Sequence, residues 1–114
     1  MQSTDPRPRL SQTEREGIRR AVVRACAEAP AKWRRIVLFG SRADPNRRGG
    51  DIDLLVELEP GQAADTYRLT QRLRLALEDE IGEQRVDIVL DDGRDTGSFP
   101  SQVRETGIEL WSNT

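Results

Sequence analysis

Three aspartates stand where an acid is least at home. Asp51 and Asp53 open the apolar run Asp51-Ile-Asp-Leu-Leu-Val-Glu-Leu58, and Asp87 interrupts a second one, Arg85-Val-Asp-Ile-Val-Leu90. Asp is depleted in strands, and like charges on one face repel unless a cation lies between them. At ~3.3 Å rise per residue, Asp51 and Asp53 fall ~7 Å apart along one face. Mg²⁺ suits such a place, because it takes oxygen ligands and is commonly held by one or two carboxylates with substrate phosphates and water. If the Asp87 strand lies beside the Asp51 strand, the three acids converge. Such a cluster can hold two ions ~3.5 to 4 Å apart, one activating an attacking hydroxyl and one neutralising the leaving phosphates. The third carboxylate is then available as a base.

A phosphate site is expected one strand upstream. Phe39-Gly40-Ser41 closes an apolar run, and a helix is predicted to begin at or after Ser41. Glycine lets a phosphate approach the backbone, the first N–H groups of a helix point at an anion, and a serine hydroxyl can donate to a phosphate oxygen. The chain lacks both the GxxxxGK[ST] loop and the GxGxxG fingerprint, so neither a Walker site nor a dinucleotide fold is indicated.

The elements that must position these residues follow from periodicity. Ser11 with Glu14 forms a capping box, and Ile18, Ala21, Val22, Ala25 and Ala29 recur at helical spacing, which predicts a helix from about Ser11 to Ala29, stopped by Pro30. Arg35–Phe39 reads as a central strand and 44–50 as a loop. Asp51–Leu58 is a second strand, with Ile52, Leu54 and Val56 on one face and the acids on the other. Asp65–Ile81 is an amphipathic helix with Gly82 as its cap, and Arg85–Leu90 is a third strand. A short helix is expected in the tail from Ser101, then Gly107 and an Ile-Glu-Leu-Trp edge. The alternation predicts an α/β (α+β) fold, a mixed sheet packed against helices. It is expected to form a single domain over 11–114, preceded by an extended lead-in at 1–10.

Composition narrows the chemistry. The 114 residues include no His and one Cys, Cys26, which removes His-based triads, His–Cys zinc sites and disulfides. Any metal ligand or base is then a carboxylate. The opening MQSTDPRPRL has no apolar h-region and no window approaches a membrane span, so a cytoplasmic protein is expected. Net charge is −2, yet residues 1 to 50 hold 12 basic and 5 acidic side chains while 51 to 114 hold 6 and 15. Arg15, Arg19, Arg20 and Arg24 on the first helix are candidate partner contacts. With 4% aromatic residues and a negative net charge, direct nucleic-acid binding is not expected.

Taken together, FGSRADPNRRGGDIDLLVEL, the later RVDIVL and the closing GIELW resemble the minimal nucleotidyltransferase family of the DNA polymerase β-like superfamily, over nearly all of Ile36–Trp111. The resemblance implies that Gly40 and Ser41 hold a triphosphate, with Arg42 as a further phosphate contact. It implies that Asp51 and Asp53 bind two Mg²⁺ ions and that Asp87 completes the catalytic triad of acids. Gly50 departs from the pattern, since many relatives carry a polar residue before the first Asp. The implied reaction is transfer of a nucleoside monophosphate, AMP from ATP, to a hydroxyl of another polypeptide. Similar proteins are commonly paired with an all-helical HEPN-domain ribonuclease as antitoxins, and several adenylylate a tyrosine of that partner; a homo-oligomer is compatible with this. The alternative is a catalytically silent nucleotide- or partner-binding module that neutralises its partner by complex formation.

Overall fold

A computed structural model describes residues 10–40, 51–60, 65–91 and 107–113. The first helix, α1, spans Gln12–Glu28. Its capping box is complete: the Glu14 N–H donates to the Ser11 hydroxyl and the Ser11 N–H donates to the Glu14 carboxylate, each at 3.0 Å. Two of the amides left over at a helix start are thereby satisfied. The second helix, α2, spans Thr66–Ile81 behind an Asp65 cap whose carboxylate accepts from the Arg68 N–H at 2.9 Å. It ends at Gly82, where φ is +82°.

Four strands complete the described fold: β1 (Trp33–Phe39), β2 (Ile52–Leu58), β3 (Val86–Asp91) and β4 (Ile108–Ser112). They lie in the order β3-β2-β1-β4, with β1 antiparallel to both neighbours and β2 parallel to β3. The parallel pair requires a crossover, and α2 provides it. The mixed sheet on two helices agrees with the predicted architecture. The expected helix from Ser41, the loop at 44–50 and the tail helix before Gly107 lie outside the described residues.

The sheet buries both faces. Ile36, Leu38, Ile52, Leu54, Val56, Leu58 and Leu110 pack with the inner faces of α1 and α2, while Val37 and Leu55 form a second buried cluster with Phe39 and Val89 on the opposite face. Two-sided burial explains why β1 and β2 read as nearly continuous apolar runs rather than as alternating ones.

The helices meet closely where α1 carries Gly17. A β-carbon there would lie 2.7 Å from Cγ2 of Ile81 and 3.3 Å from the Glu80 carbonyl oxygen. Gly17→Val is therefore expected to lower stability by about 1–3 kcal/mol through overpacking, measured by urea denaturation. A cost near zero would mean that α2 slides away freely.

The arginines of α1, expected to face solvent or a partner, are engaged within the fold. Arg20 pairs with Glu80 and Arg24 with Asp79, both at 2.8 Å, tying α1 to α2. Arg15 and Arg19 lie over the Trp111 ring at 4.8 and 5.4 Å, and the Trp111 indole N–H donates to the Arg15 carbonyl at 3.1 Å. The Arg15 guanidinium in turn donates to the Leu110 carbonyl at 3.0 Å, so the same residues lock β4 onto α1. Each exposed pair contributes little, but the cation–π stack orients the edge strand.

Cys26 is buried on α1, as its place beside the apolar stripe predicts. Burial pushes its thiol up to about 11. Alkylation of the native protein at pH 8 is expected to run about 100-fold slower than that of an ordinary thiol, because the thiolate is the reactive form. Rapid labelling without unfolding would show that α1 opens locally.

Candidate active site

The site grows from the ends of three adjacent strands. In register, Phe39 of β1 stands opposite Asp53 of β2, and Asp53 stands beside Asp87 of β3. The Ile52 N–H donates to the Arg85 carbonyl at 2.9 Å, which fixes the start of β2 against the approach to β3. That register makes neighbours of two acids separated by more than thirty residues in the chain. Asp53 follows Leu55 in the alternation of β2, so it projects on the face away from the helices, as expected from sequence.

The electrostatics of the pair are unfavourable on their own. Burial pushes the Asp53 carboxyl above the ordinary aspartate value, and three further causes add to it: the charge of Asp87, a hydrogen bond with its carboxyl, and the charge of Asp51. Two carboxyl groups can share a hydrogen bond only if one keeps a proton, and a cation between them removes that need. The donor set is oxygen throughout, so these residues fit a hard divalent ion such as Mg²⁺. Asp51 lies one residue before β2 and contributes charge to the pair. Among the described residues, no group of three or more His, Cys, Asp and Glu side chains is gathered closely enough to hold a metal ion. The closely associated acids are thus Asp53 and Asp87, with Asp51 beside them.

Gly40 brings the end of β1 against the acids. It closes β1 with φ of +74°, a conformation that glycine adopts without penalty. Its α-carbon abuts the Asp53 side chain: a β-carbon would run into Oδ2 of Asp53 and come within 3.0 Å of its Cγ. Sequence reasoning assigned Gly40 to phosphate approach and did not foresee this contact. A glycine ending a buried strand is the signal that could have suggested one. Ser41 and Arg42, expected on the triphosphate, lie outside the described residues.

A match to a family model supplies what geometry alone does not. Residues 19–108 match the nucleotidyltransferase domain, a stretch that contains Gly40 and all three acids. The chain belongs to the nucleotidyltransferase domain family. Among solved structures, this nucleotidyltransferase is similar to a chain of the toxin–antitoxin complex MntA-HepT, with 24% identity, a TM-score of 0.50, and coverage of 90% of this chain and 74% of the other. It is also similar to a chain of a toxin–antitoxin structure with AMP-PNP, with 25% identity, a TM-score of 0.50, and coverage of 83% and 73%. No functionally curated protein matches. Among the described residues, no helix is long and apolar enough to cross a membrane.

Proposed function

We propose that this nucleotidyltransferase moves AMP from ATP to a hydroxyl of a partner protein, and that it acts as the antitoxin of a HEPN-domain ribonuclease. The observation that carries the reading is the Asp53–Asp87 carboxyl pair, in which Asp53 is set directly against Gly40, with Asp51 adjacent. The likeness to chains from two toxin–antitoxin structures, one of them with AMP-PNP, supports both the nucleotide and the setting.

In this reading Gly40 admits the triphosphate to the end of β1, and the Ser41 hydroxyl and Arg42 guanidinium donate to its oxygens. Asp53 and Asp87, with Asp51 beside them, would hold Mg²⁺, which would neutralise phosphate charge and make the acceptor hydroxyl easier to ionise. The acceptor oxygen bonds to the α-phosphorus as the bond from that phosphorus to the bridging oxygen of the β-phosphate breaks. The hydroxyl proton passes to the Asp87 carboxylate, and pyrophosphate leaves. Positioning and charge neutralisation supply most of the acceleration, because the protein forms no covalent intermediate.

The test is co-expression with the protein encoded by the adjacent gene, followed by intact mass measurement of that protein. One or more added nucleotidyl groups with the wild type, and none with Asp53→Asn, are expected. A stable complex with no added mass in either case favours the silent binding module instead.

A further inference from the structure

The chain reaches Asp87 through a short stretch with little packing beneath it. Residues 82–86 lead from the end of α2 into β3, the outer strand of the described sheet, which has β2 on one side. Between this stretch and the last turns of α2 lies a cavity of about 590 Å³, lined by Arg74, Leu77 and Glu78 from the helix. Gly82, Glu83 and Arg85 are exposed, and Gln84 and Val86 are half-buried. A void supplies no van der Waals contact, so hydrogen bonds must fix where the strand begins.

Those bonds come from three elements. From β2, as described above, the Ile52 N–H holds the Arg85 carbonyl. From α1, the Glu14 carboxylate accepts from the Gln84 side-chain amide at 2.8 Å, and the same amide nitrogen donates to the Ile81 carbonyl at the end of α2 at 2.9 Å. From the middle of α2, the Arg74 guanidinium donates to the Val86 carbonyl at 3.3 Å. Gln84 thus ties the turn to both helices three residues before Asp87, and Arg74 holds the residue next to it. The register that sets Asp87 beside Asp53 starts at this point, with Val86 opposite Ile52.

We propose that Gln84 and Arg74 are positioning residues for Asp87. They act from the helix side, through the backbone, by fixing the start of β3 so that the Asp87 carboxyl meets that of Asp53 on the opposite face. The consequence for catalysis rests on the transfer reaction proposed above, whereas the hold on the strand does not.

The experiment compares the wild type with Gln84→Ala, Arg74→Ala and Arg74→Lys by two readouts. Amide hydrogen exchange over residues 83–91 is followed by mass spectrometry on the whole chain, with residues 17–26 of α1 as the internal reference. Steady-state transfer from ATP to the protein of the adjacent gene gives kcat and KM. Both alanine variants are expected to speed exchange at 83–91 by about 3- to 10-fold with α1 unchanged, and Arg74→Lys, which keeps a donor, to exchange as the wild type does. In the alanine variants kcat is expected to fall about 10-fold or more with KM for ATP unchanged, because a displaced carboxylate is felt at the reacting hydroxyl. Unchanged exchange at 83–91 overturns the proposal, and so does faster exchange in α1 and β3 alike, which marks a general loss of stability. Faster local exchange with wild-type kcat overturns it too, since the strand then moves without moving the acid. If the wild type transfers nothing, the reaction falls and the rise in melting temperature with Mg²⁺ takes the place of kcat. A smaller rise in the alanine variants than in the wild type then supports the positioning role, and no difference overturns it.

Discussion

Asp53→Asn is expected to lower nucleotidyl transfer by about 10³-fold or more while raising the melting temperature of the metal-free protein. In the proposed mechanism the loss follows from removing a metal-holding carboxylate from the acid pair, where transition-state charge would be neutralised. The gain in stability follows from the same geometry. Burial, Asp87 and Asp51 hold the Asp53 carboxyl above its ordinary value, so the folded state resists ionising it. For an acid raised in this way the folded state binds the proton more tightly than the unfolded chain does. Its stabilising contribution is full below the ordinary aspartate value and is lost as pH rises through the raised one. Metal-free wild type should therefore lose stability over that window and remain less stable at neutral pH, whereas Asp53→Asn should show a flatter profile. Mg²⁺ should raise the melting temperature of the wild type and have little effect on the variant, because only the wild type carries the repulsion that the ion relieves. Equal shifts with Mg²⁺ in both proteins would remove Asp53 from the metal site.

Gly40→Ala should cost both stability and activity, through two separable causes. The backbone at Gly40 sits at φ of +74°, which costs an L-residue roughly 1–2 kcal/mol. A methyl group there also strikes the Asp53 carboxylate, displacing the acid from the place where β2 and β3 set it. Misplacing a reacting group by about 1 Å costs on the order of 10²-fold in rate, so transfer should fall by about that factor or more. The two causes can be told apart by a double-mutant cycle read in urea. In an Asp53→Ala background the collision is gone, so Gly40→Ala should cost less than it does in the wild type. Equal cost in both backgrounds would assign the whole effect to backbone conformation.

The reading from sequence succeeded where short-range physics dominates. Ser11 and Glu14 cap α1 as their spacing requires, and Gly82 ends α2. The acids declared themselves by interrupting or opening apolar, strand-forming runs, and Asp53 and Asp87 do meet. The α1 arginines were harder to read. A charge on a helix face looks the same in sequence whether it meets water, a partner, or Asp79 and Glu80 of another helix. The hold that Arg15 and Arg19 keep on Trp111 was equally hidden, because some ninety residues separate the partners.

By itself, then, the sequence determined the elements, the inward faces of the helices and the identity of the acids, since capping, periodicity and residue preference act over a few neighbours. Only the tertiary structure decided that β3 lies beside β2 and not at the far edge, and that Gly40 rests on Asp53. Those outcomes depend on strand order and register. Packing across the whole sheet sets both, because a slip of one residue would turn Asp53 into the core and Leu54 out of it.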